Sequence, residues 1–342
     1  MADADVATKA PESDAQESPS VIAGDSKPDQ GAASLGEHCI KDRPTPAGEQ
    51  PTGEIAKYND VEVYISKPAD YPHSPSKLLL FLTGGTGIHS VNNQIQADRY
   101  AAEGFVVAMP DQFAGDPASS ATNSRTDAAE ENPSVIEQIK LNIASVAKSF
   151  SIDMWLARHT PEKVLPILRR ALSGIKEEFA DAVSHGGGVH AVGYCFGAKY
   201  VLLLAAAAAT DAKSTTTTTT TTTNEDPAKQ TPSDSQIEQG HARSAPEIAV
   251  AAIAHGTQIT LSDLENCAVP LSIVAVEDDS LFPDEIREAG VKALAEKKVE
   301  HEVEVFPGVP HGFAVWGDYE DAGIQEQQGV AFGQLLAWLK GH

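Results

Sequence analysis

Cysteine is scarce in this chain: three in 342 residues, at Cys39, Cys195 and Cys267. So few, so far apart, exclude a disulfide framework and a cysteine-rich zinc site, and suit a reducing compartment where a free thiol stays reactive. Basic residues are scarce too, 25 Lys and Arg against 49 Asp and Glu, for a formal charge of −24. Nucleic acid and anionic membrane reward clustered positive charge, so neither is expected as a partner. The longest uncharged apolar run, Tyr200 to Ala209, is far too short to span a bilayer. The opening stretch MADADVATKAPESD has no basic segment followed by an apolar one, and is not read as a secretory signal. These absences lead to the expectation of a cytosolic protein.

What is present fits an ordinary globular chain, 41% hydrophobic and 22% charged, long enough to bury a full core. Residues 1–50 are rich in Asp, Ser, Pro, Gly and Ala, with ten acidic residues against four basic ones. Such a stretch cannot offset the entropy of ordering itself and is expected to be a disordered acidic tail. The domain is expected over residues 51–342, with a low-complexity insertion at 211–245 that contains the unbroken run Thr215 to Thr223. The insertion reads as an expansion of a surface loop.

Between these tracts the apolar runs alternate in type. VEVYI (61–65), KLLLFLT (77–83), FVVAMP (105–110), VHAVG (189–193), IAVAAIA (248–254), LSIVAVE (271–277) and HEVEVF (301–306) read as strands. Several are apolar throughout, as strands covered on both faces must be. Helical patterns lie between them, at 92–103, 161–184, 197–209, 283–298 and 322–340. This alternation predicts an α/β fold, a mostly parallel sheet with helices on both faces in three layers. Chemistry in such folds gathers at the carboxyl ends of the strands. The loop-like stretch 112–133 and the helical pattern at 134–150 fall outside the rhythm and read as a cap.

Gly193-Tyr194-Cys195-Phe196-Gly197 follows a strand and opens a helix, the setting of a nucleophile elbow with Cys in place of the commoner Ser. The turn lifts its central side chain into the cleft, and the strand and helix crowd the positions two before and two after, which must be small. A helix N-terminus also favours thiolate. Cys267, in ENCAV beside a strand, reads as an inert core cysteine, and nothing assigns Cys39 a role.

A cysteine nucleophile needs a base, and the base needs a group to orient it. His311, in FPGVPHGFAVWG directly after a strand, stands on a sharply turning loop that can aim an imidazole. The acid should follow the intervening strand, where LSIVAVEDDSLFP supplies Glu277, Asp278 and Asp279. Only one of these can face the histidine; Asp279, farthest past the strand, is best placed, while neighbouring acids also serve as a solvated strand end. Oxyanion-hole donors are backbone N–H groups. Phe196, after the nucleophile, is one, and Gly85, in the loop Thr83-Gly84-Gly85-Thr86-Gly87, is the other. A phosphate loop is the competing reading of these glycines, but GxxxxGK[ST] is absent. His255 ends another strand at the same edge; it lines the pocket or is a plain strand-end histidine.

The elbow GYCFG, the acid segment EDDSLFP and the loop PGVPHGF together resemble the dienelactone hydrolase family of α/β-hydrolases. The upstream pieces ADRYAAEGFVVAMPDQF and EHCIKDRPTPAGEQPTGEIAKYNDVEVYISKP resemble its fungal branch. The resemblance covers residues 37–342, interrupted by the threonine tract. It implies an α/β-hydrolase sandwich that cleaves a small-molecule lactone or ester without metal or organic cofactor. It puts the nucleophile on Cys195, the acid on Asp279 and the base on His311. Bacterial members carry a glutamate where this chain has Gly84, and an arginine four residues after the catalytic histidine, where this chain has Val315 followed by Trp316. The dienelactone itself is therefore not the expected substrate; a larger or more apolar ester suits Val315 and Trp316. Arg158 is the candidate for a compensating charge. An acyltransferase or thioesterase using the same triad, and an idle fold kept for binding, are the alternatives. The oligomeric state is not legible.

Overall fold

The computed structural model describes residues 41–46, 48–118, 152–207 and 245–342. Among these residues eight strands make one sheet: β1 (Glu54–Tyr58), β2 (Val61–Ser66), β3 (Lys77–Leu82), β4 (Phe105–Pro110), β5 (Val189–Tyr194), β6 (Val250–Ala254), β7 (Leu271–Val276) and β8 (His301–Phe306). Their order is β1-β2-β4-β3-β5-β6-β7-β8. The two pairs made by β2 are antiparallel, and every pair from β4 to β8 is parallel. The helices are α1 (Val91–Ala102), α2 (Pro161–Glu178), α3 (Ala180–His185), α4 (Phe196–Ala205), α5 (Leu261–Asn266), α6 (Asp284–Glu296) and α7 (Ala322–Gly341), with a further helical stretch over 152–158. No described helix is long and apolar enough to cross a membrane.

The continuous apolar runs are explained by cover on both faces. Along β3, Leu78, Leu80 and Leu82 enter a core shared with α2, α4 and α6, while Leu79 and Phe81 enter a second core with α1 and α7. Central strands therefore have no polar side to show. This is the α/β-hydrolase sandwich expected from the sequence.

Three details differ. β1, EIAKY, was not among the expected strands; it hangs on the edge through Asn59 and Asp60, both at positive φ (48° and 67°), the two-residue turn of a tight hairpin. The helix expected over 161–184 breaks at Phe179 (φ −110°, ψ 41°), whose ring is buried, and becomes α2 and α3. The short α5 is held by a capping box between Thr260 and Asp263.

The expected tail needs a correction at its end. Residues 1–40 lie outside the described residues, but 41–46 and 48–50 are packed on the domain. The Asp42 carboxylate accepts from the Ser90 hydroxyl and, at 2.8 Å, from the Val91 N–H, at the positive end of α1. The Arg43 N–H donates to Asn92 Oδ1 at 2.8 Å, its guanidinium lies 3.6 Å from the Tyr319 ring centroid, and the Pro44 carbonyl accepts from the Asp318 N–H at 2.7 Å. Specific contacts, not composition, order this strap. The expected cap lies outside the described residues from 119 onward, as does the insertion apart from Ala245.

Candidate active site

The carboxyl ends of β3, β5, β6, β7 and β8 stand side by side, and each feeds one loop to the same edge of the sheet. After β5 comes Cys195, at φ 50° and ψ −114°, the residue that caps α4. A non-glycine residue held there carries backbone strain of about 1–3 kcal/mol. The neighbours keep it there. Tyr194 stacks on Phe81 (centroids 5.1 Å apart) and joins hydroxyls with Tyr100 at 2.8 Å; Phe196 packs against Phe113 and Trp155 on the opposite face of the sheet.

The flanking glycines answer to space. A β-carbon on Gly193 would stand 2.7 Å from the Gly197 carbonyl and the Val201 side chain; one on Gly197 would stand 2.3 Å from the Leu82 carbonyl oxygen. Strand and helix touch backbone to backbone across the turn. The loop after β3 also runs against Cys195: a β-carbon on Gly84 would lie 3.3 Å from its Cβ and 3.8 Å from its Sγ. Gly85 follows, its carbonyl accepting from the Ala118 N–H at 2.8 Å.

After β7, Glu277 and Asp278 are exposed and Asp279 is buried. One oxygen of Asp279 accepts from the Leu281 N–H at 2.9 Å; the other meets His311 Nδ1 at 2.6 Å. His311 sits on the loop after β8, tied down by Gln328, which donates to the carbonyls of Phe313 (2.9 Å) and Val315 (2.7 Å). Burial pulls the His311 pKa down, but the hydrogen bond to Asp279, then contact with Cys195 and both negative charges, outweigh it and push it up to about 9.

Between sulfur and imidazole stands a residue that sequence reasoning missed. Thr257, after β6, places Oγ1 3.2 Å from Cys195 Sγ and 3.2 Å from His311 Nε2, while its N–H donates to the Cys195 carbonyl at 3.1 Å. Its position three residues past the end of β6, the strand beside the elbow, is the one signal that could have found it.

The pocket above the sulfur is lined by Cys195, His255, Val315 and Trp316, with Lys41 and Arg43 from the strap. Its free volume is about 20 Å³, roughly room for one water. His255 is fully buried and sets its ring edge-on to His311, centroids 5.0 Å apart. Trp316 donates its indole N–H to Glu49 at 2.6 Å and lies under the Arg99 guanidinium, 3.6 Å away. Arg158 is not among the lining residues: its guanidinium is paired with Asp116 at 3.0 Å, and its side chain is 45% exposed. The charge suggested for it is spent on that neighbour.

A parallel sheet sandwiched by helices, with a strained residue lifted on a strand-to-helix turn and a buried imidazole–carboxylate pair at the same rim, defines an α/β-hydrolase. The model of the dienelactone hydrolase family matches residues 61–232 and 235–340, and the chain belongs to that family. It is a carboxylic ester hydrolase with a small-molecule substrate. Similar proteins include the hydrolase pyvD of Aspergillus violaceofuscus, 29% identical over 84% of this chain and 89% of that one. Dienlactone hydrolase 1 of Gibberella moniliformis is 26% identical over 78% of each chain. A protein of Klebsiella pneumoniae provisionally assigned as a dienelactone hydrolase covers 86% of this chain and all of its own at TM-score 0.56; at 15% identity that likeness is one of fold.

Proposed function

We propose that this protein hydrolyses a lactone or carboxylic ester through a thioacyl-enzyme intermediate on Cys195, with His311 as acid and base and Asp279 orienting His311. The observation that carries the reading is the unbroken polar path from Cys195 Sγ to His311 and on to the Asp279 carboxylate, ending on a strained cysteine. Strain of that kind is held where chemistry needs it, and a packing cysteine has no use for it.

With its pKa pushed up to about 9, His311 holds a proton at neutral pH, and the form of Cys195 that reacts is the thiolate beside that imidazolium. The thiolate attacks the ester carbonyl. The N–H groups of Phe196 and Gly85 receive the oxyanion, a contribution of about 3–4 kcal/mol per donor. As the tetrahedral adduct collapses, His311 passes its proton to the leaving alkoxide. Neutral His311 then takes a proton from water, and the hydroxide releases the acid from sulfur. Reducing conditions, as in the cytosol, keep this thiol competent. Steady-state hydrolysis of aryl and alkyl esters by Cys195→Ala is the test: loss to background supports the proposal, and turnover like that of the parent ends it.

A further inference from the structure

If Cys195 is the nucleophile, a second polar group that touches both its sulfur and the imidazole, beside the direct contact of His311 with Cys195, asks for a role. It is a hydroxyl, 3.2 Å from Sγ and 3.2 Å from the imidazole Nε2. Asp279 occupies the other ring nitrogen, so Nε2 faces Thr257 and Cys195. Thr257 is buried, and its N–H donates to the Cys195 carbonyl, which fixes the Thr257 backbone against the elbow.

On this basis, which rests on the nucleophile proposed above, we infer that Thr257 relays the proton between the Cys195 thiol and His311 and holds the thiolate once formed. The balance is simple. The thiol S–H bond breaks as its proton bonds to Thr257 Oγ1, and the hydroxyl's original proton bonds to His311 Nε2. Thr257 ends as the neutral alcohol it was, sulfur carries the negative charge and the imidazole the positive one. In that state the hydroxyl has one consistent orientation: it accepts from Nε2–H and donates to the thiolate. A hydroxyl has one proton and two lone pairs, so it can do both at once.

Gly84 explains why the role falls to Thr257. That position lies against the sulfur from the opposite loop, but a β-carbon there would already press on Cys195 Cβ at 3.3 Å, leaving no space for a polar side chain without a shift. Other ionisable groups around the pair are His255, edge-on to His311, with Lys41, Asp42 and Arg43 on the strap. None is a donor placed between sulfur and Nε2.

The test is the rate of Cys195 alkylation by iodoacetamide against pH, read by peptide mass, in the full-length parent, Thr257→Val and Thr257→Ser. Valine keeps the shape of threonine without the hydroxyl; serine keeps the hydroxyl. The relay requires Thr257→Val to alkylate roughly tenfold slower or more at pH 7, with its profile moved to higher pH, and to lose kcat/KM on esters at least as much. Thr257→Ser should restore both. A merely structural threonine would move neither profile. Should Thr257→Val fail to fold by circular dichroism, Thr257→Ala is scored in the same way. A parent-like profile in the valine or alanine variant overturns the inference and leaves the nucleophile standing. If parental Cys195 alkylates no faster than a free thiol, the nucleophile reading falls and the relay with it.

Discussion

Asp279 Oδ2 and His311 Nδ1 meet at 2.6 Å from two loops at neighbouring strand ends, both side chains buried. This contact is the largest of the influences raising the His311 pKa against the pull of burial. A histidine whose folded pKa lies above its unfolded value near 6.5 adds stability that is complete below about 6.5 and is lost as pH rises through about 9. Thermal unfolding followed from pH 6 to 10 should show the midpoint falling over that window. In Asp279→Asn the fall should be much reduced.

The same pair shapes the rate profile. In the mechanism proposed above, protonated His311 supplies the leaving alkoxide's proton, so kcat/KM on alkyl esters should decline above pH 9. Asp279→Asn should lower kcat/KM roughly 10²–10⁴-fold and bring the alkaline limb to lower pH, since the imidazole loses both its orientation and its partner charge. A pH–rate series on one alkyl ester measures both effects.

The elbow's glycines can be tested without chemistry. Gly197→Ala and Gly193→Ala force a β-carbon onto backbone at 2.3 and 2.7 Å, and each should destabilise by about 1–3 kcal/mol or more. Gly329 and Gly333, exposed on α7 with nothing within 4 Å, are the controls: alanine at either should raise stability by about 0.5–1 kcal/mol. Denaturant midpoints distinguish the two sets.

Much of this architecture was legible because each signal is local. KLLLFL can be covered on both faces only as a central strand, and Gly-x-Cys-x-Gly at a strand–helix junction has a steric meaning that the contacts of Gly193 and Gly197 bear out. Among Glu277, Asp278 and Asp279 the sequence favoured Asp279 by its place past the strand and by the family resemblance; what turns that residue inward is the positive φ of Asp278 (53°), which no spacing rule supplies. Thr257 was invisible for a different reason: a threonine near a strand end is common, and only the adjacency of β5 and β6 brings it to the sulfur. The strap was lost in an average, since contacts made by Asp42, Arg43 and Glu49 do not alter the composition of fifty residues.

The strap gives a prediction of its own. Asp42→Ala removes the anion from the start of α1 and loosens Lys41 and Arg43, which line the pocket. It should cost about 0.5–2 kcal/mol of stability and change KM with little effect on kcat, because nothing at Cys195 is touched. Steady-state kinetics beside a melting curve would show the split.

Arg158 serves as the contrast. Paired with Asp116 at a half-exposed surface and outside the pocket lining, it should tolerate Arg158→Ala with kcat and KM within about twofold of the parent and a stability change below about 1 kcal/mol.

Most direct is the capture of the acyl group itself. Acid quenching of the enzyme during turnover of a slow aryl ester, followed by peptide mass analysis, should find the acyl mass on the peptide that holds Cys195 and lose it in Cys195→Ala. Full turnover with no adduct there, or an adduct on another side chain, would contradict covalent catalysis by this cysteine.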